Sequence, residues 1–179
     1  MGSEHTSVPR WDATAPGVPD RARSVAVLGL DDASDDCVSS WAAAAAAAGA
    51  QVTVLRTRST DDALAWLTAE MAEAVVGWRL MVAGPEADVL RARARALHLG
   101  ALPAEVVPFV TGVPVRLVHC AHCSSDTETG APVDGTCTCT GCGRTLHVYH
   151  HVSRRRGAYF GYMIDAEEAA RPPREEALS

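Results

Sequence analysis

Two cysteine pairs constrain this chain more than any other feature. Cys120-Ala-His-Cys123 and Cys139-Thr-Gly-Cys142 are both C-x-x-C, and 15 residues separate the inner cysteines. That spacing reads as a four-thiolate metal site. A C-x-x-C turn directs two sulfurs to one side of a tight loop. Two such turns facing each other make a tetrahedral cage, which suits zinc and also iron. Gly143 follows the last cysteine and lets the chain turn away closely from the metal. The expected ligands are Cys120, Cys123, Cys139 and Cys142. Cys137 is the reserve, able to replace Cys139, although the C-x-x-C register favours Cys139. His119 and His122 flank the first knuckle and are read as groups beside the cage, not as ligands. Cys37 stands alone in the N-terminal half and reads as a small buried apolar residue.

Thiols serve metals only where they stay reduced. The first residues, Met1-Gly-Ser-Glu-His-Thr-Ser, lack the basic start and apolar stretch of an export signal. No run reaches membrane-spanning length. The expectation is a cytoplasmic protein without a disulfide framework. The net charge of −6 argues against a general nucleic-acid binder. All 16 basic residues are arginine, and they are unevenly spread. Residues 1–113 carry 9 Arg and 14 acidic groups, a net of −5. Residues 114–160 carry 5 Arg and 3 acidic groups, a net of +2. The cysteine-bearing segment is thus mildly basic inside an acidic chain, which suggests a docking surface for an acidic partner. The same imbalance also fits an ordinary solvated face.

The 179 residues suit one compact domain plus a small module. Residues 1–23 are rich in Pro, Gly, Ser and Asp and read as a mostly disordered arm. Apolar runs at 24–30, 51–55, 78–83 and 105–110 read as strands. Pro108 assigns the last of these to an edge or a bend. Helical periodicity predicts helices over 37–48, from about Ser59 with Leu64, Leu67, Met71 and Val75 inward, and from Pro85 to about Leu99. In that third helix Leu90, Ala94 and Leu97 point inward, with Arg91, Arg93 and Arg95 largely outward. Alternation of strand and helix implies a parallel, Rossmann-like sheet over residues 24–112. A β-rich module of zinc-ribbon or rubredoxin type follows over 115–165, with strands at 115–119, 145–152 and 158–164. A long Thr/Asp loop separates its knuckles. Residues 166–179 form a charged tail. Strand neighbours face opposite sides, so His147, His150 and His151 are not expected to join one site.

The order of elements in the first domain resembles the nucleotide-binding half of ferredoxin-reductase-type flavoenzymes. Leu55-Arg-Thr-Arg-Ser-Thr-Asp-Asp62 resembles the segment that meets the cofactor's ribose there, and Met81-Val-Ala-Gly-Pro-Glu86 resembles their strand ending in C-G-P. The resemblance makes Arg58, Ser59 and Gly84 weak cofactor-binding candidates. Those enzymes seat a pyrophosphate on a glycine-rich turn after the first strand. Here Asp31-Asp-Ala-Ser-Asp-Asp36 stands in its place, and four carboxylates repel a pyrophosphate. The domain is read as a relative that has lost its cofactor, with an acidic loop able to meet a basic partner.

The stretch from Leu146 through His151-Val-Ser-Arg-Arg-Arg-Gly-Ala-Tyr-Phe-Gly161, preceded by the paired C-x-x-C, resembles the C-terminal domain of the A subunit of bacterial dimethylamine monooxygenase. That resemblance implies an accessory subunit of a multi-component oxygenase, which converts dimethylamine to methylamine and formaldehyde with NADPH and O₂. Reductase and haem subunits are then the implied partners, and this chain holds neither flavin nor haem. The chain agrees by omission: it has no C-x-x-C-H haem attachment and no ferredoxin-type cysteine run. It also has no G-x-S-x-G and no paired acid/base constellation, so no catalytic residue is assigned. Arg154, Arg155 and Arg156, with Tyr159, are the candidates for docking to carboxylates on a partner. The arginines also fit a plain solvated turn, with Gly157 supporting a turn. Tyr149, Tyr159, Phe160 and Tyr162 also fit the module's core. Zinc is favoured over iron because closed four-ligand sites are its common structural use. Two other classes stay open: a rubredoxin-like Fe–S₄ electron carrier, and a zinc-ribbon adaptor binding protein or, less fittingly at this charge, nucleic acid through Arg144 and Arg154 to Arg156.

Overall fold

The computed structural model describes residues 7–112 and 115–164. The expected tail at 166–179 lies outside the described residues. β1 (Ser24–Gly29), β2 (Gln51–Arg56), β3 (Trp78–Gly84) and β4 (Val106–Val110) form a parallel sheet in the order β2-β1-β3-β4. The helices α1 (Asp35–Ala47), α2 (Thr60–Ala72) and α3 (Glu86–His98) connect them. Strand order reverses after β2, and right-handed crossovers then place α1 on one face and α2 and α3 on the other. Side-chain alternation along β1 serves both faces. Val25 and Val27 pack with Val38, Trp41 and Ala45 of α1. Ala26 and Leu28 pack with Ala63 and Leu67 of α2 and with Val89, Ala92 and Ala96 of α3. β1 and β3 are therefore buried on both faces, as uninterrupted apolar runs require. Pro108 lies in β4, at the sheet edge, where its missing N–H costs no ladder bond on the open side.

Two helical expectations need correction. In α2 the inward stripe is Ala63 and Leu67, supported by Trp66 and Met71, while Leu64 is half-buried. Val75 is 68% exposed, because the helix ends at Ala72 and the chain is already turning toward Gly77. In α3, Arg91, Arg93 and Arg95 are half-buried rather than outward. This helix is covered on two sides: Val89, Ala92 and Ala96 meet the sheet, whereas Ala87 and Leu90 meet the second sheet.

That second sheet holds β5 (Arg116–Cys120), β6 (Asp126–Thr129), β7 (Thr136–Thr138), β8 (Thr145–Ser153) and β9 (Ala158–Met163). Its order is β6-β5-β9-β8-β7, with β5 and β9 parallel and the other neighbours antiparallel. The stretch expected as a Thr/Asp loop therefore contains two short strands. β6 alternates in burial, with Thr127 inward between Asp126 and Glu128. In β8 the pairing shifts between Val148↔Gly161 and Val152↔Tyr159. Tyr149, His150 and His151 together oppose Phe160 alone, a bulge that breaks the strand's side-to-side alternation.

Residues 7–23 have neither helix nor strand, yet the part described is not the disordered arm expected from its composition. Trp41 Nε1 donates to Pro16 O at 2.7 Å, and Val152 N donates to Ser7 Oγ at 2.8 Å. Trp11 packs against both the α/β core and the module core. An aromatic ring buries enough apolar area to hold a segment that has no backbone ladder.

One buried carboxylate joins these parts. Glu86, at the start of α3, is 1% exposed. Its Oε1 accepts from Tyr159 Oη at 2.6 Å and from Trp11 Nε1 at 3.1 Å. Its Oε2 lies 3.4 Å from Arg116 Nε, an ion pair rather than an aligned hydrogen bond. The Arg116 guanidinium also lies 5.7 Å from the centre of the Tyr159 ring.

Candidate metal centre

The two knuckles are built alike. In the first, Cys120 N–H donates to Ser125 O and Cys120 O accepts from Ser124 N, both at 2.9 Å. In the second, Cys139 N–H donates to Arg144 O and Cys139 O accepts from Gly143 N, also both at 2.9 Å. Ser124 and Gly143 hold the same place after each pair, with φ of 61° and 71°. Only Gly143 is visible as a turn signal, because serine takes up the left-handed conformation with no glycine to mark it. Gly141 is required for another reason: a Cβ there would collide with Ser125 and stand 3.2 Å from Cys123 Sγ. The knuckles meet at that point.

The result is a four-sulfur cage. The Sγ atoms of Cys120, Cys123, Cys139 and Cys142 all lie within 4.8 Å of one another. Cys120 and Cys142 are 3.9 Å apart, and Cys123 and Cys139 are 3.5 Å apart. A metal–sulfur bond of about 2.3 Å in a tetrahedron implies sulfur–sulfur edges of about 3.8 Å, so the residues fit a tetrahedral ion. The cage sits at one end of the module core, with Cys120 and Cys139 buried among Val118, Leu146 and Val148. Thr140 N donates to Thr127 Oγ1 at 3.0 Å, tying the second knuckle to β6.

The thiols are unequal. Hydrogen bonds from the Ser125 hydroxyl and N–H bring Cys123 down to about 6. Burial pushes Cys139 up, but the N–H groups of Cys142 and Gly141 outweigh it and leave it below the ordinary thiol range. The Arg144 N–H favours the Cys142 thiolate, yet burial and the neighbouring sulfurs raise that thiol to about 11. Four sulfurs this close cannot all carry charge alone, and a bound cation is what lets every one ionise.

Cys137 is not among the gathered sulfurs. It lies on β7, half-buried against the module core, and its thiol is pushed up by burial and by Cys139 and Cys120. His119 is 7% exposed and its Nδ1 lies 2.7 Å from Asp126 Oδ1, while His122 is exposed. Cys37 packs against the core around Trp41, where burial raises its thiol to about 11.

Residues 117–162, which span both knuckles and the bulged hairpin, match the family model for the dimethylamine monooxygenase subunit DmmA-like, C-terminal domain. The cage module is similar to the DmmA-like domain. Over 110 residues the chain is 38% identical to the heme-dependent oxidative N-demethylase delta subunit of Ectopseudomonas mendocina (strain ymp). That match covers 62% of this chain and 62% of the relative's length. No solved structure matches. Among the described residues, no helix is long and apolar enough to cross a membrane.

In the cage module the expected docking residues separate into two groups. Arg154, Arg155 and Arg156 are exposed on the tight turn between β8 and β9, where Gly157 N donates to Ser153 O at 2.8 Å. Tyr159 is fully buried and bound to Glu86, so it holds the interior together instead of facing a partner. Burial, then the hydrogen bond and charge of Glu86, push its phenol up, with Arg116 opposing. The three histidines are not gathered into a metal-holding group among the described residues, but the bulge sets them around one aromatic ring. The Tyr149 ring centre lies 4.1 Å from His150, 5.4 Å from His151 and 6.4 Å from His147, so three imidazoles border one ring.

The candidates for a nucleotide are each engaged otherwise. Arg58 pairs with Asp32 through two nitrogens. Ser59 caps α2, accepting from Asp62 N at 3.2 Å. Gly84 is buried against Leu30, and its carbonyl accepts from Thr111 N. Asp31 caps the turn after β1, accepting from Ser34 N at 2.9 Å and from Thr111 Oγ1 at 2.7 Å. A carboxylate thus occupies a backbone N–H and a hydroxyl at the end of the sheet where a phosphate would bind. Sequence reasoning missed Glu86, Arg116 and Trp11. The available signal was a tryptophan inside an otherwise polar, Pro-rich arm.

Proposed function

We propose that this chain is an accessory subunit of a heteromeric oxygenase that demethylates dimethylamine to methylamine and formaldehyde, consuming NADPH and O₂ and releasing water. The observation that carries this reading is the coincidence of the DmmA-like match with a four-sulfur cage and a bulged, arginine-tipped hairpin. Reductase and haem subunits supply the electrons and the oxygen chemistry. Residues 24–112 and 115–165 act as two domains of a docking subunit, followed by the charged tail at 166–179. Cys120, Cys123, Cys139 and Cys142 hold zinc, which adds no redox chemistry and clamps a module too small to fold on its core alone. Arg154, Arg155 and Arg156 meet carboxylates of a partner. The α/β domain does not bind NADPH, since Asp31 and Asp32 engage the groups that would receive it.

A second reading is an Fe–S₄ electron carrier. The N–H bonds to Cys123, Cys139 and Cys142 favour it, because hydrogen bonds to sulfur tune an iron site's potential. Anaerobic purification separates the two: one equivalent of zinc in a colourless protein supports the clamp, and a red protein that bleaches on reduction supports the carrier. The oxygenase reading is tested by expressing the tagged chain with the reductase and haem subunits encoded beside it. Recovery of neither would sink that reading.

A further inference from the structure

The β8–β9 turn rides directly on α3. Gly157 has a φ of 68°, and a Cβ there would stand 2.5 Å from the Leu90 carbonyl oxygen. This contact sets the arginines of the turn beside those of the helix. A cavity of about 440 Å³ opens on one side, lined by Arg10, Arg93 and Arg154 over Trp11, Leu90 and Pro108. A second, of about 240 Å³, is lined by Arg91, Arg95, His98, Arg155 and Arg156. Both border the 154–156 turn.

Among the described residues, much of the positive charge in this seam has no carboxylate beside it. Arg91 pairs with Asp88 and Glu128, and Arg95 donates to the Thr68 hydroxyl. Among the described residues, no carboxylate pairs with Arg10, Arg93, Arg154, Arg155 or Arg156. Burial lowers the Arg93 guanidinium most, and the nearby positive charge of Arg154 adds to it. The chain as a whole is at −6, so five arginines without a carboxylate partner among the described residues are a local reversal of its field.

We propose that this seam seats an acidic segment of a partner protein: its carboxylates meet Arg10, Arg93 and Arg154, and an apolar side chain enters beside Trp11. The seat deepens the docking role proposed above and rests on it for the partner's identity. Arginine forks suit carboxylates, and the apolar floor gives a peptide something that a phosphate chain cannot use. The net charge of the chain opposes an extended polyanion, whose binding grows with the number of phosphates neutralised. A short segment needs only the seam.

The test uses the full metal-loaded chain and a fluorescein-labelled peptide, Glu-Asp-Phe-Glu-Asp-Leu, read by fluorescence anisotropy. Saturable binding is expected, weakening as salt rises. The double variant Arg93→Ser/Arg154→Ser should weaken it about tenfold or more, as should serine in place of the peptide's Phe. Arg58→Ser, whose arginine is paired elsewhere, should leave it unchanged. Unchanged metal content and circular dichroism show that the double variant is folded. Absence of binding, equal binding by the double variant, or equal binding of the Gln/Asn peptide overturns the seat. Tighter binding of an oligothymidylate through the same arginines would instead make it a nucleic-acid site. Because the peptide assay needs no oxygenase subunit, it stands apart from the co-purification test. Peptide binding without subunit recovery keeps the seat and removes the oxygenase reading. Subunit recovery that is indifferent to Arg93→Ser/Arg154→Ser keeps the oxygenase reading and removes the seat.

Discussion

Replacing Glu86 by alanine should destabilise this protein more than any other single change outside the cage. The carboxylate is 1% exposed and is the common acceptor for Tyr159 and Trp11 and the counter-charge of Arg116. The Arg116 side chain is itself only 17% exposed, so it has little water to turn to. Removing one member of a buried ion pair costs about 3–5 kcal/mol, because the survivor keeps its desolvation penalty. Stranding the Tyr159 hydroxyl adds a further cost of about 1–3 kcal/mol in isolation. The two overlap, since one residue serves both partners, so the sum is an upper bound. For a chain of this size, the ion-pair term alone corresponds to a fall in Tm of roughly 6–20 °C. Thermal denaturation of the metal-loaded protein, followed by circular dichroism, reads it. Tyr159→Phe should lose only the bond to a charged acceptor, about 1.5–3 kcal/mol. Combining Tyr159→Phe with Glu86→Ala should then cost less than the two losses added. If Glu86→Ala melts within about 0.5 kcal/mol of the parent, as ordinary surface substitutions do, the carboxylate does not join the helix, the arm and the hairpin.

Three further outcomes follow from the same structure. Cys139→Ser should abolish stoichiometric metal binding and unfold the module, whereas Cys137→Ser should leave metal content at the parental level by elemental analysis; binding free energies of about 10–16 kcal/mol for structural zinc set the scale of the loss. The Tyr159 phenol is raised in the folded state, so its stabilising effect is complete below the unfolded value of about 10 and declines as pH rises toward the folded value. Urea denaturation across that alkaline range should lose about 1.4 kcal/mol per pH unit more in the parent than in Tyr159→Phe; parallel profiles would remove the argument. Gly157→Ala should cost roughly 1–3 kcal/mol through strain at positive φ and the collision with Leu90, and it should weaken the acidic peptide by moving the turn off α3, with metal content unchanged.

What could be read from residues alone was what neighbours in the chain decide. C-x-x-C spacing is a property of a four-residue turn, so Cys120, Cys123, Cys139 and Cys142 were legible, while Cys137 stayed in reserve until the gathered sulfurs left it out. The apolar runs at β1 and β3 announce strands covered by helices, and Pro108 announces an edge or a bend, of which the sheet order selects the edge. Each of these signals acts within a few residues, where backbone geometry does the deciding. The rest needed the third dimension. Trp11 and Tyr159 reach Glu86 from 75 and 73 residues away in sequence, and no local pattern pairs Tyr159 with that carboxylate or marks residues 7–23 as packed. The bulge that gathers His147, His150 and His151 around Tyr149 is a mismatch between two strands, invisible in either one. Likewise the arginines of α3 look like a solvated face until the β8–β9 turn is laid upon them. Burial and charge compensation belong to pairs of surfaces, and only folding determines which surfaces meet.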